Sequence, residues 1–260
     1  MNRRTGGTLI LALLVAGFSY FKYCNTRSFN EYTQQYQHVG MLPEEEIALG
    51  LNSAPSMVQQ YGGLHPDQRS QDLVKHVGQR LVSNTLAKKT PYQYDFHLLA
   101  DGETINAFAL PGGQVFITAA LFSRLENEDQ LAGVLGHEIG HVIARHGGER
   151  LTQNELFNGL SGATTIATGD YAAGQNMAAL LHQFFSMPYG RDQELQSDDI
   201  GVLLMLQAGY DPNALIGVME ILKAASGPNR VPERLSTHPD PENRMAKIRE
   251  AIDKHRATVQ

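Results

Sequence analysis

Hydrophobic and polar positions divide the chain into regions of different period. An uncharged run from Thr5 to Phe21 comes after Arg3 and Arg4, and it approaches the lower limit of about 17 residues for a spanning helix. Residues 25–42 are polar and aromatic without a clear period, which suits a tether. From Pro43 the pattern becomes helical. Three glutamates after Pro43 favour a helix N-terminus, and Leu73, Val74, Val77, Leu81 and Val82 recur at helical spacing in the next segment. Tyr94, Phe96 and Leu98 then alternate on one face, and "INAFAL" and "QVFIT" read as short strands joined by a turn at Pro111–Gly113. A helix over "QLAGVLGHEIGHVIARH" is expected next, capped by Asn127, with Gly147 and Gly148 to stop it. Residues 151–180, rich in Gly, Ala and Thr, fit loose helix or a mobile segment equally. Three further helix candidates lie in "RDQELQSDDIGVLLMLQAGY", "PNALIGVMEILKAAS" and "PENRMAKIREAIDKHRA".

These elements predict an α+β protein, mainly helical, with a small sheet beside one central helix. The expected organisation is an N-terminal signal anchor over 1–24, a tether over 25–42 and one catalytic domain over 43–260. At 260 residues and 42% hydrophobic, the chain can build one substantial core. Its formal charge of -6 comes from interspersed residues, so a phosphate backbone is an unsuitable partner and no nucleic-acid binding is expected. The lone cysteine, Cys24, excludes an intrachain disulfide and any cysteine-based metal cluster. Arg3 and Arg4 predict a cytoplasmic N-terminus and export of the chain beyond the apolar run. The expected location is the bacterial inner membrane, single-pass, with the catalytic domain in the periplasm. A cleaved signal peptide releasing a periplasmic protein is the alternative.

The chemistry lies in "HEIGH". Histidines four apart on a helix are offset by roughly 40°, so His137 and His141 project from one face toward a common cation. Glu138 lies beside that pair, where a carboxylate can take a proton from metal-activated water without being a ligand. Hydrogen-bonded core histidines are the competing reading. Apolar neighbours on both sides bury the two imidazoles, which then need partners, and a metal supplies them. A third ligand is expected from another helix. Glu194, with Asp198 four residues later to accept a ring N–H from a ligating histidine, is the best candidate, although an acidic turn is often just a solvated face.

Four motifs occur in order: "NAFALPGG" at 106–113, "HEIGH" at 137–141, "ELQSD" at 194–198 and "STHPDPENR" at 236–244. Together they resemble family forty-eight of the metallopeptidases, the gluzincin group that includes HtpX, the CAAX prenyl endopeptidases and BepA-like bacterial members, from about residue 43 to about 250. The resemblance implies one zinc ion per chain held by His137, His141 and Glu194, with Glu138 as general base on zinc-bound water. It implies a substrate edge strand at Asn106, Ala107, Phe108 and Ala109, for which an internal strand is the alternative. It also brings His238 and Arg244 close to the metal, as oxyanion stabiliser or fourth ligand. His97, His146 and His182 lack such context and read as structural or solvent-facing. Ser197 stands where the family usually has Ala. The implied function is a zinc endopeptidase of exposed, misfolded or misassembled envelope proteins, in protein quality control. A chaperone-like binding module with a structural or latent metal site is the alternative.

Overall fold

The computed structural model describes residues 3–168, 188–225, 234, 237–238 and 243–259. His182 lies outside them. Among the described residues the chain is mostly helical with two small sheets. Its contacts define two compact units: one of residues 1–42 and 147–187, and one of residues 43–146 and 188–260. The region 43–260, expected as a single domain, is thus interrupted between residues 147 and 187.

In the first unit, α1 (Arg3–Cys24) is the apolar helix, and its stretch Gly7–Cys24 is long and apolar enough to cross a membrane. The segment expected as a tether forms an antiparallel hairpin, β1 (Arg27–Asn30) with β2 (Gln35–His38). Its cross-strand Phe29–Tyr36 contact shows why the period was hard to see: alternation runs for only four residues per strand.

In the second unit, α2 (Pro43–Gln60) carries Glu44, Glu45 and Glu46 in its first turn, where they meet the positive end of the helix dipole. Helix α3 (Gln68–Ser83) starts at Asp67, whose side chain accepts from the Ser70 N–H, and it buries Val74, Val77 and Leu81. The sheet has order β3 (Asp95–Leu99), β5 (Gln114–Thr118), β4 (Ala107–Ala109). The expected turn joins β4 to β5 as an antiparallel pair, and β3 lies parallel to β5 on the other side. Gly112 requires its positive φ of 83°, and a Cβ there would fall 2.3 Å from Ile47 Cα. The short α4 (Ala119–Phe122) comes directly after the sheet.

Helix α5 (Glu128–Ile143) is capped by Asn127, which accepts from the Gln130 N–H. Every residue from Gln130 to Ile143 is buried, so this helix is the centre of the core. It packs on α3, on β4 and on two later helices, α7 (Arg191–Ala208) and α8 (Ala214–Ala225). Gly147 and Gly148 do not stop it. Arg145, at φ 59°, breaks the helix, and the two glycines lie in the first turn of α6 (His146–Thr168). A last helix, α9 (Arg244–Val259), covers α7.

Helices α5 and α7 approach closely through small residues. A Cβ on Gly140 would lie 2.7 Å from the Ser197 carbonyl oxygen, and one on Gly201 would lie 3.0 Å from the His137 nitrogen. Backbone cannot yield as a flexible side chain can. We expect Gly140→Ala to force the helices apart and to cost about 1–3 kcal/mol of stability, read from urea unfolding. An unchanged midpoint would show that the crossing is looser than the structure has it.

Candidate metal centre

His137 and His141 leave α5 on one face, and Glu194 and Asp198 leave the first two turns of α7 on the face that meets it. Their convergence results from the glycine-lined crossing. His137 Nε2 is 3.1 Å from His141 Nε2 and 3.5 Å from Glu194 Oε2, and His141 Nε2 is 3.3 Å from Glu194 Oε1. His238 enters from the segment before α9, with Nδ1 3.3 Å from His137 Nε2 and 2.9 Å from Glu194 Oε1. One donor atom from each of these four buried residues lies within 4.8 Å of all the others.

This set fits a cation. Three imidazole nitrogens crowd together, and hydrogen bonds among them satisfy the buried lone pairs poorly. Four ligands at about 2.0–2.1 Å in a tetrahedron stand roughly 3.3 Å apart, close to the observed separations. Burial pulls His141 well below the usual histidine range and His238 to about 3, which keeps both rings in the neutral form that binds metal. Burial alone would raise Glu194, but His238 and His137 outweigh it and hold the carboxyl well below its usual value.

Outer contacts fix which nitrogen of each ring faces inward. The His137 Nδ1–H donates to Asp198 Oδ1 at 2.7 Å, leaving Nε2 bare. His146 does the same for His141 through a relay. Its Nε2–H donates to Gln196 Oε1 at 2.8 Å, so its Nδ1 accepts from His141 Nδ1 at 2.9 Å. His146 is buried, and it is not the solvent-facing residue its sequence context allowed. His97 is structural, stacked on Phe116 and bonded to Gln114.

Arg244, expected close to the metal as an oxyanion stabiliser, lies behind the cluster. Its Nε and Nη2 reach Asp198 at 2.6 and 2.9 Å, and Nη1 stands 3.0 Å from Glu194 Oε2. Burial would raise the Asp198 carboxyl, but Arg244 foremost holds it at about 2. The guanidinium is fully engaged by the two carboxylates.

Glu138 is buried outside the donor cluster. Its Oε1 accepts from Arg234 Nη1 at 2.5 Å, and its Oε2 has no hydrogen-bond partner among the described residues. Arg234 was not singled out in the sequence. It also donates to the Ala107 carbonyl at 3.0 Å, tying Glu138 to β4, an edge strand of its sheet among the described residues. Asn106 and Leu110 bond toward β5, so by alternation Ala107 and Ala109 turn their backbone groups outward. Phe108 is half-buried and stacks on Phe116.

Two histidines four apart on a helix beside a small sheet, an adjacent glutamate outside the donor set, and a carboxylate from a second helix together form the site of a metal-dependent peptidase. The chain belongs to Peptidase family M48, whose model matches residues 68–252. It is 34% identical over 197 residues to the beta-barrel assembly-enhancing protease of Escherichia coli, covering 72% of this chain and 39% of that protein. It is 30% identical over 253 residues to the mitochondrial metalloendopeptidase OMA1 of Schizosaccharomyces pombe, covering 93% of this chain and 71% of that one. Bovine mitochondrial metalloendopeptidase OMA1 is 38% identical over 157 residues, 56% of this chain and 30% of its own. The chain thus spans about two fifths of the length of its enterobacterial relatives.

Proposed function

We propose that this chain is a zinc endopeptidase that hydrolyses exposed, misfolded or misassembled envelope proteins. The observation that carries the reading is the convergence of His137, His141 and Glu194 donors beside a buried carboxylate that is not one of them. One zinc ion per chain would be held by those three residues, with His238 as a fourth donor. When bound, zinc polarises a scissile carbonyl and makes a water molecule more acidic. Glu138 takes the water's proton, for which Oε2 is free of described partners, and delivers it to the leaving amine. Asp198 and His146 hold the ligand rings in place, and Arg244 holds Asp198.

Substrate adds as a further strand along β4 at Asn106–Ala109, where backbone hydrogen bonds give binding with little sequence preference. Such binding suits a protease of unfolded chains. The names of the enterobacterial relatives support an envelope role, and the sequence of Arg3 and Arg4 before an apolar helix supports an inner-membrane anchor with the catalytic unit, residues 43–146 and 188–260, facing the periplasm.

Metal analysis tests the centre. Purified full-length protein is expected to carry one zinc per chain, chelation to abolish casein cleavage, and added zinc to restore it. His141→Ala should lose the metal. Casein cleavage indifferent to chelation would reject the assignment.

A further inference from the structure

The first unit contains a second helix beside the apolar one. Lys22 Nζ on α1 lies 2.6 Å from Glu155 Oε2 on α6, and a Cβ on Gly159 would lie 2.2 Å from Ser19 Oγ. Moving up α6 from Glu155 to Gly159 therefore moves back along α1 from Lys22 to Ser19. The helices run antiparallel and in contact. The least exposed positions of this part of α1 are Ala12, Val15, Ala16 and Ser19, a single stripe at helical spacing. On α6 the corresponding stripe is Thr152, Leu156, Gly159 and Ala163. Small residues at such a crossing let the backbones approach, the usual basis of helix association in lipid.

Lys22 and Glu155 also mark a charge boundary. From Lys22 back to Arg4 on α1, and from Glu155 to the last described residue of α6, neither helix has a charged residue. Beyond that level large apolar side chains stand outward on both helices, with Asn158 and Ser161 as the uncharged polar residues exposed among them on α6. Leu14 and Phe18 on α1 are 64% and 69% exposed, and Phe157 on α6 is 66% exposed, with Leu160 also exposed about one turn further on. The polar groups on the contact are satisfied internally, since the Ser19 hydroxyl donates to the Val15 carbonyl at 2.9 Å.

We infer that α6 beyond Glu155 is embedded in the lipid bilayer alongside α1, with Phe157 and Leu160 facing acyl chains and the Lys22–Glu155 pair at headgroup level. The membrane contact is then made by two packed helices. At about 1.5 Å per residue, Leu156 to Thr168 reaches roughly 20 Å, about two thirds of the way through a hydrocarbon core of about 30 Å. This inference rests on the reading that α1 is a retained anchor.

The chain has no tryptophan, so one introduced reporter is unambiguous. Full-length Phe157→Trp and Leu14→Trp proteins are each reconstituted into phosphatidylcholine/phosphatidylglycerol vesicles with or without bromine on the acyl chains. The expected result is blue-shifted emission from both, quenched several-fold more strongly by brominated lipid than by aqueous acrylamide. Leu160→Trp, one turn deeper, repeats the measurement should Phe157→Trp fail to reconstitute. Quenching of Leu14→Trp alone overturns the inference and leaves the α1 anchor standing. Blue-shifted emission from the α6 reporter without bromine quenching would assign that face to protein, such as a second copy of the chain, and would overturn it too. No quenching of Leu14→Trp removes the anchor reading itself.

Discussion

Glu138→Gln is expected to lower casein cleavage on the order of 10³-fold while leaving the zinc content at one per chain. The amide has the shape of the carboxylate, so Arg234 keeps an acceptor at Oε1 and the buried pocket keeps its packing. Only the proton acceptor is lost. Because the four donor atoms that surround the metal position come from His137, His141, Glu194 and His238, the change should not touch metal affinity. A loss of that size is about 4 kcal/mol of transition-state stabilisation, and it should fall on kcat, with KM little altered. Turnover at the wild-type rate would show that another group is the base. Loss of zinc together with activity would show that Glu138 is a ligand.

Much of this site could be read from the sequence because its parts are local. His137 and His141 are one helical turn apart, as are Glu194 and Asp198, and helical spacing alone puts each pair on one face. The hairpin of β4 and β5 was equally visible, through "PGG" and two short apolar runs. The hidden parts depend on tertiary contacts. His146 returns to the centre only because Arg145 takes a left-handed conformation, and Arg145 is held there by an ion pair to Glu46, far away in sequence. Arg234 has no motif around it. Its importance comes from reaching Glu138 and Ala107 together, residues separated from each other by β5, α4 and more than half of α5. Arg244 was visible as a cation near the metal, but its direction was not. Asp198 draws it behind the ligands, where it sets the charge of the second carboxylate.

We expect Arg234 and His238 to hold the centre in a latent form. The His238 N–H donates to the Arg234 carbonyl at 2.6 Å, and the Tyr189 N–H donates to the Thr237 carbonyl, so the two residues are linked through the backbone. His238 supplies a fourth donor, and as a zinc ligand it would fill the position that catalysis needs open. Arg234 meanwhile holds the carboxylate that must accept a proton. The same guanidinium takes the Ala107 carbonyl, a group that an added substrate strand would use. We therefore expect His238→Ala to raise casein cleavage, by up to about tenfold where the closing contact favours the latent form by about 1.4 kcal/mol. Zinc should remain, since three protein ligands suffice. Arg234→Ala should act in the same direction but through KM, by freeing the edge strand. If His238→Ala instead loses activity with zinc retained, the ring serves the transition state and the latch is rejected. Opposite responses of the two variants would separate their roles, with His238 closing the metal position and Arg234 orienting the base.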